Sequence, residues 1–299
     1  MRSLFFLCTV LISIGFIQAQ TAKPKDAPNA DDQYMFYFGK ANEDLGKFEF
    51  ESSIKNCEEA LKYKPNDHLV RAMICLDYYE FAQKLDVKKS DEKQWKLDIY
   101  TKMVSIAEEG MKAAPDKGEC YFMRGLANAR MSTTKGILSS LFSAKQIEED
   151  WLIAVSRRSD YVTPNGENLE ASANIALGVY YRLCPSFFLF TWTFGISGDL
   201  GKAVQYCKKA YELDPTRIEI VKEYGIALIT RGLENDNAKD IDAGKILLQK
   251  VFTLPHRLRT DQVDVEHSKM LLNDISLCPG YSRDEQQEIS EEAYRKGHK

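Results

Sequence analysis

Five segments of the sequence end in the same way, and this recurrence constrains the fold more than any other feature. Each is a run of helix-forming residues that closes on a proline, at Pro65, Pro115, Pro164, Pro215 and Pro255. The prolines follow one another at intervals of 50, 49, 51 and 40 residues. A regular interval of this kind is typical of a solenoid, in which each repeat is one supersecondary unit stacked on its neighbours.

A small residue stands five positions before each of the first four prolines, at Ala60, Gly110, Ser159 and Ala210. A small side chain there lets the two helices of a hairpin approach closely, and the proline ends one helix and can enter the first turn of the next. Lys250 departs from the pattern, as a terminal repeat can. The repeats therefore predict an all-α fold, a solenoid of about six antiparallel helix hairpins.

The fourth repeat carries the most specific pattern. It resembles the second half of a tetratricopeptide repeat at Gly198, Ala203, Tyr206, Ala210 and Pro215. Such units span about 34 residues, whereas the proline spacing here is near 50. Inner loops must therefore be enlarged or helices lengthened. The surplus falls in three stretches, 85–93, 132–146 and 182–197.

Periodicity and end signals place the individual helices. Two capping boxes, Thr216 with Glu219 and Ser282 with Glu285, mark helix starts. The helices are predicted near 32–46, 49–64, 67–84, 92–113, 117–131, 144–160, 167–182, 199–213, 216–232, 239–253, 261–275 and 283–296.

The N-terminus has the features of a secretory signal sequence. Arg2 supplies a positive charge, residues 4–16 are almost wholly apolar, and the small Ala19 suits a cleavage site. The alternative is an uncleaved anchor, but the apolar run is shorter than the ~20 residues that a bilayer span needs. We expect a signal peptide at 1–19, a flexible leader at 20–31 and a helical repeat domain at 32–299.

Composition excludes several classes of function. The net charge of −4 gives no basic footprint for nucleic acid. We find no nucleophile motif, phosphate loop or metal-ligand spacing, so we expect no enzyme, no cofactor and no metal. The Asp264–His267 spacing is better explained by a solvated helix face than by a metal site. Six cysteines follow the signal; export would permit disulfides, but Cys57, Cys75 and Cys207 lie in apolar helical patterns that favour buried thiols.

The surplus stretch 185–196 is the most unusual part of the mature chain, with four phenylalanines and one tryptophan inside eight residues. One interpretation is local packing; the other is an apolar surface for a partner, a ligand or a second copy. Alternation from Phe188 to Ile196 also permits a short strand. A second apolar surplus, at 135–142, would project from the same side of a solenoid. The candidate binding residues are Tyr180, Tyr181, Phe187, Phe188, Phe190, Trp192, Phe194, Leu138 and Phe142.

The signal sequence, the long divergent repeats and the block from Leu177 to Pro215 resemble the T-component family of TRAP transporters. That resemblance implies a periplasmic helical-repeat scaffold that pairs with a substrate-binding protein. The regulator-of-microtubule-dynamics family shares the style of repeat, but the bacterial-type signal favours the first family. Two further functions stay open: a carrier for an apolar small molecule, with a closed cavity lined by residues 187–194, and a general envelope assembly protein.

Overall fold

The computed structural model describes residues 29–159, 161–186 and 188–283, with the backbone alone at 137–142 and 188–190. The expected signal peptide, most of the leader and most of the last predicted helix lie outside these ranges. The described chain forms helices α1 (Ala30–Gly46), α2 (Phe50–Tyr63), α3 (His68–Ala82), α4 (Ser90–Ala113), α5 (Glu119–Lys135), α6 (Ile137–Arg157), α7 (Leu169–Leu183), α8 (Phe188–Phe194), α9 (Leu200–Leu213), α10 (Ile218–Glu234), α11 (Ala238–Lys250) and α12 (Asp261–Asn273).

Helices that are neighbours in the chain pack against each other as hairpins, with α8 inserted between the two helices of one pair. The pairs are α1–α2, α3–α4, α5–α6, α7–α9 and α10–α11, and α12 packs against both helices of the last pair. Within the described residues, the only β-type pairing is an isolated antiparallel bridge between Val162 and Asn168. The predicted all-α, tetratricopeptide-like solenoid is therefore confirmed.

Three of the repeated segments end with the same backbone hydrogen bond. The amide of Lys64 donates to the Ala60 carbonyl at 3.1 Å, and Ala114–Gly110 and Asp214–Ala210 repeat this bond at 2.9 Å. The need for a small residue is visible at Gly110, where a Cβ atom would lie 2.3 Å from Cys120 Sγ. A larger side chain at Gly110 would force α4 and α5 apart.

The third repeated segment closes differently from the prediction. Helix α6 ends at Arg157, and Arg158 takes a left-handed conformation with φ of 54°. Ser159 therefore lies outside the helix, and its hydroxyl donates to Glu119 Oε1 at 2.6 Å. The predicted helix 144–160 is correspondingly shifted, because α6 begins at Ile137 immediately after Gly136 at φ 117°. Most of the surplus at 132–146 is thus helix rather than loop.

The capping box predicted at Thr216 does not form. Arg217 is the residue before α10, and no side chain caps that helix end. Glu219 instead accepts from Arg217 at 2.7 Å and pairs with Arg283 at 3.1 Å. The carboxylate that the sequence pattern assigns to the cap is therefore held by two guanidinium groups, the buried Arg217 and the half-buried Arg283. Ser282 and Glu285 cannot be compared, because Glu285 lies beyond the described chain.

None of the six described cysteines forms a disulfide bond. Cys57, Cys75 and Cys207 are buried in the helix packing, as expected from their apolar patterns. No helix of the described residues has both the length and the apolar character that a membrane crossing requires.

Candidate functional site

The aromatic insert, residues 185–196, begins and ends at a pair of backbone hydrogen bonds. The Gly198 amide donates to the Pro185 carbonyl and the Asp199 amide donates to the Tyr181 carbonyl, both at 3.0 Å. The segments that enter and leave the insert approach so closely that a Cβ at Gly198 would lie 1.9 Å from the Cys184 carbonyl oxygen. The insert therefore leaves the α7–α9 hairpin and returns to it at one point.

Helix α8 occupies this insert, where a strand was the alternative. Within it, Trp192 is 76% exposed, the largest exposure among the described large hydrophobic residues. Phe194 and the buried Ile196 face the body of the protein, where they pack with Ala144 of α6 and with Tyr180. The insert is thus anchored through one end and presents Trp192 to solvent.

Of the remaining candidate residues, the structure describes the side chains of Tyr180 and Tyr181 only. Tyr181 is buried, stacks on Tyr206 and donates to Glu148 Oε1 at 2.5 Å, so it serves the packing of α6, α7 and α9. Tyr180 is partly buried and donates to the Ala144 carbonyl at 3.1 Å. Helix α8 packs against α6, where Phe194 and Ile196 contact Ala144. Phe187 and the side chains of Leu138, Phe142, Phe188 and Phe190 lie outside what the structure describes.

A cavity of about 330 Å³ lies against the first helices of successive hairpins. Helices α3, α5, α7 and α10 contribute to its walls, together with α6, the 165–167 loop and the 258–260 and 282–283 segments. Its apolar walls include Phe122 and Leu126 of α5, Trp151 of α6, and Val179 and Leu183 of α7. This volume lies within the usual range of ligand sites.

This cavity differs from the one expected for a small-molecule carrier. Among the described residues of the insert, Pro185 and Ile196 line it, whereas Trp192 and Phe194 do not. The cavity is formed by the solenoid itself, with the insert contributing only its base. The expectation that residues 187–194 line a closed cavity is therefore not met by their described members.

Arginines and glutamates line the polar part of the same cavity. Arg217 donates to the Ser172 hydroxyl at 2.6 Å and to Glu219 at 2.7 Å, and it pairs with Glu167 at 3.0 Å. Arg259 is more loosely placed, with 4.0 Å between its Nη1 atom and Glu80 Oε2. The Arg217 side chain is buried, yet its Nε atom has no hydrogen-bond partner.

Burial and neighbouring charges separate the pKa values of these carboxyls. Burial raises the pKa of Glu80 to about 7 and also raises the pKa of Glu167. Burial acts in the same direction on Glu219, but Arg283 and Arg217 outweigh it and lower the pKa of that carboxyl to about 2. The arginine end therefore contains one firmly ionised carboxylate, Glu219, and two carboxyls, Glu80 and Glu167, whose pKa values burial raises.

The end of the described chain is tied to this region by a buried ionic cluster. Arg182 donates to the carbonyls of Cys278, Pro279 and Tyr281 at 3.3, 3.5 and 2.8 Å, and to Glu223 at 2.9 Å. Lys222, fully buried, donates to Asp264 at 2.5 Å and to the Tyr281 hydroxyl at 2.8 Å. These bonds place Ser282 and Arg283 in the cavity wall.

The ionic cluster also accounts for the Asp264–His267 pair noted in the sequence. Asp264 is buried against Lys222 and Arg283, not on a solvated face, while His267 Nδ1 lies 2.8 Å from the Tyr281 hydroxyl oxygen. No group of three potential ligand residues is placed to hold a metal ion within the described chain. The cavity arginines were missed by the sequence analysis; the charged pair Lys222 and Glu223, between the apolar runs of α10, was the available signal for a buried ionic cluster.

Comparison with known proteins gives a structural match alone. No protein-family model matches the sequence, and no curated protein matches it. Among solved structures, the fold is similar to the crystal structure of MamA protein, with a TM-score of 0.42 and 15% identity over 76% of this chain and 98% of that one.

Proposed function

We propose that the protein is a non-enzymatic, protein-binding scaffold in which helix α8 anchors the partner. The observation that carries the proposal is Trp192, 76% exposed on an insert that the repeat packing does not require. Exposed apolar surface on such a projection favours a partner, because tryptophan contributes strongly when an interface desolvates it. The partner contact is supplied by the insert, while the solenoid holds it in place.

The test uses two exposed tryptophans. A photo-crosslinker at Thr193, an exposed neighbour of Trp192, should give one dominant protein adduct in the native envelope, identified by mass spectrometry. Trp192→Ser should abolish this adduct and leave the melting temperature unchanged. Trp95→Ser is the matched control, since Trp95 is 50% exposed on α4 and lies outside the insert. Equal adduct yields from both variants would refute a role for α8.

The location and the specific partner extend this proposal. Arg2, the apolar run 4–16 and Ala19 support export to the periplasm with cleavage after residue 19. N-terminal sequencing of the exported protein should find Gln20 first; retention of residues 4–16 in a membrane pellet would contradict it. The resemblance to TRAP transporter T-components supports a substrate-binding protein as the partner. An adduct with another envelope protein would favour an assembly role, and an adduct with a second copy would indicate a homo-oligomer.

A further inference from the structure

The cavity beside α7 has different chemistry at its two ends. Ser172, near the start of α7, contacts Arg217, while Val179, Tyr180 and Leu183 line the cavity further along the same helix. At 1.5 Å per residue, Ser172 and Leu183 are separated by ~16 Å. The cavity is therefore elongated, with a charged region at one end and an apolar region at the other.

The apolar end is formed by several independent helices. Phe122 and Leu126 come from α5, and Ile147 and Trp151 come from α6. The Trp151 ring meets the Tyr180 ring edge to face, with 6.2 Å between centroids. Such walls suit a flexible hydrocarbon chain, because moving apolar surface from water into an apolar site is favourable in proportion to the area buried.

The charged end has unused capacity for an anion. Among the described lining residues there are five arginines and four glutamates. Arg182 is saturated by Glu223 and three carbonyls, and Arg283 is held between Glu219 and Asp264. Arg259, by contrast, has Glu80 at 4.0 Å, beyond hydrogen-bond distance, and the buried Nε of Arg217 has no partner.

Excess positive charge follows from the same arrangement. Because burial raises the pKa of Glu80 to about 7, this carboxyl neutralises the nearby Arg259 incompletely near neutral pH. An anionic oxygen pair would supply charge and hydrogen-bond acceptors that the wall does not. The arginines would repel a cationic head group.

We propose that this cavity binds a single-chain fatty carboxylic acid, with its carboxylate at Arg259 and Arg217 and its hydrocarbon chain between α5, α6 and α7. The site is separate from the α8 surface and goes beyond the scaffold function. Charge complementarity selects the carboxylate, and the ~16 Å of wall along α7 accommodates the chain. The carboxylate accepts hydrogen bonds from the guanidinium groups.

The first experiment compares head groups on one chain length. Isothermal titration calorimetry of the purified protein with decanoate, below its micelle concentration, should give saturable one-site binding. Decanol and decyltrimethylammonium should bind at least tenfold more weakly. Absence of decanoate binding, or equal binding of all three ligands, would overturn the proposal.

Two variants locate the site. Arg259→Gln should weaken decanoate binding at least tenfold and leave the weak decanol binding unchanged, whereas Lys209→Gln, at an exposed position of α9, should change neither. Ala176→Leu should fill the cavity and abolish decanoate binding, with Ala238→Leu, exposed on α11, as the matched control. Full decanoate affinity in Arg259→Gln would overturn the assignment, even if Ala176→Leu failed to fold.

Discussion

The Ser53 hydroxyl oxygen lies 2.7 Å from Asp77 Oδ2 and 3.0 Å from the Ala41 carbonyl oxygen. A hydroxyl has a single proton, so it cannot donate to both oxygens. Both bonds form when Ser53 donates to Ala41 and a protonated Asp77 donates to Ser53. Asp77 is fully buried with Oδ1 unpartnered, and burial raises the pKa of its carboxyl to about 8. This hydrogen-bond arrangement and the raised pKa both favour the protonated form of the Asp77 carboxyl within the helix packing near pH 7.

Replacing Asp77 should remove part of the pH dependence of stability. Its folded pKa lies above the unfolded value of about 4, so its contribution is fully present below pH ~4 and is lost as the pH rises towards 8. The loss approaches ~1.4 kcal/mol per pH unit. Urea unfolding of Asp77→Asn across this window should show that slope removed, relative to wild type. Asp116→Asn, highly exposed, should keep the wild-type slope; identical slopes in all three proteins would contradict the assignment.

Gly125 should tolerate no side chain. A Cβ atom there would lie 2.5 Å from Trp151 Nε1, which donates to the Phe122 carbonyl at 3.3 Å. Gly125→Ala should therefore lower the free energy of unfolding by ~1–3 kcal/mol. Gly39→Ala in α1 is the control: nothing lies within 4 Å of its Cβ position, and alanine should stabilise that helix by ~0.5–1 kcal/mol. Chemical denaturation measures both, and equal effects would contradict the packing.

Arg182 should hold the end of the chain in place. Arg182→Met removes the bonds to three carbonyls and leaves Glu223 with Lys222 as its remaining close cation, so the cost should be ~3–5 kcal/mol. Arg231→Met, which breaks the more exposed Arg231–Asp240 pair, should cost no more than ~1 kcal/mol. Hydrogen exchange should also increase at residues 278–283 in Arg182→Met alone. Unchanged exchange there would show that other contacts hold the segment.

The thiols should react in order of exposure. Cys184 is half-buried, whereas Cys57, Cys75 and Cys207 are buried, and burial raises the pKa of each of these three thiols. Thiolate is the reactive form, so iodoacetamide should modify Cys184 first and the buried three only on unfolding. Peptide mapping by mass spectrometry gives the order. Rapid native labelling of Cys207 would contradict the packing around Gly178, where a Cβ would lie 2.4 Å from its Sγ.

Local signals were sufficient to predict most helices. Ala60, Gly110 and Ala210 identify helix ends because the small residue and the following proline are only five positions apart, so the signal is local. Ser159 misleads, because the hydroxyl bonds to Glu119, forty residues away in sequence, and the chain turns out of the helix at Arg158. Non-local bonds of this kind leave no spacing that a sequence reveals.

The cavity was harder to predict than the insert. Trp192 is conspicuous in the sequence because its neighbours are aromatic. Arg217 and Arg259 are single residues forty-two positions apart, and only the folded chain brings them to one wall. Glu219 even suggested a cap, since a capping glutamate and an ion-paired one share the same local pattern.

The closed base of the insert makes that segment exchangeable. Because Pro185 and Gly198 are joined by a backbone hydrogen bond, the two ends of the insert are held together whatever lies between them, while Phe194 and Ile196 pack against the body of the protein. Lengthening a loop whose ends are already held costs little entropy, about 0.6 kcal/mol for each doubling. Segments of different sequence and length that keep Phe194 and Ile196 can therefore be grafted at this position with little cost to the helix packing, and the proposed partner contact would change with them.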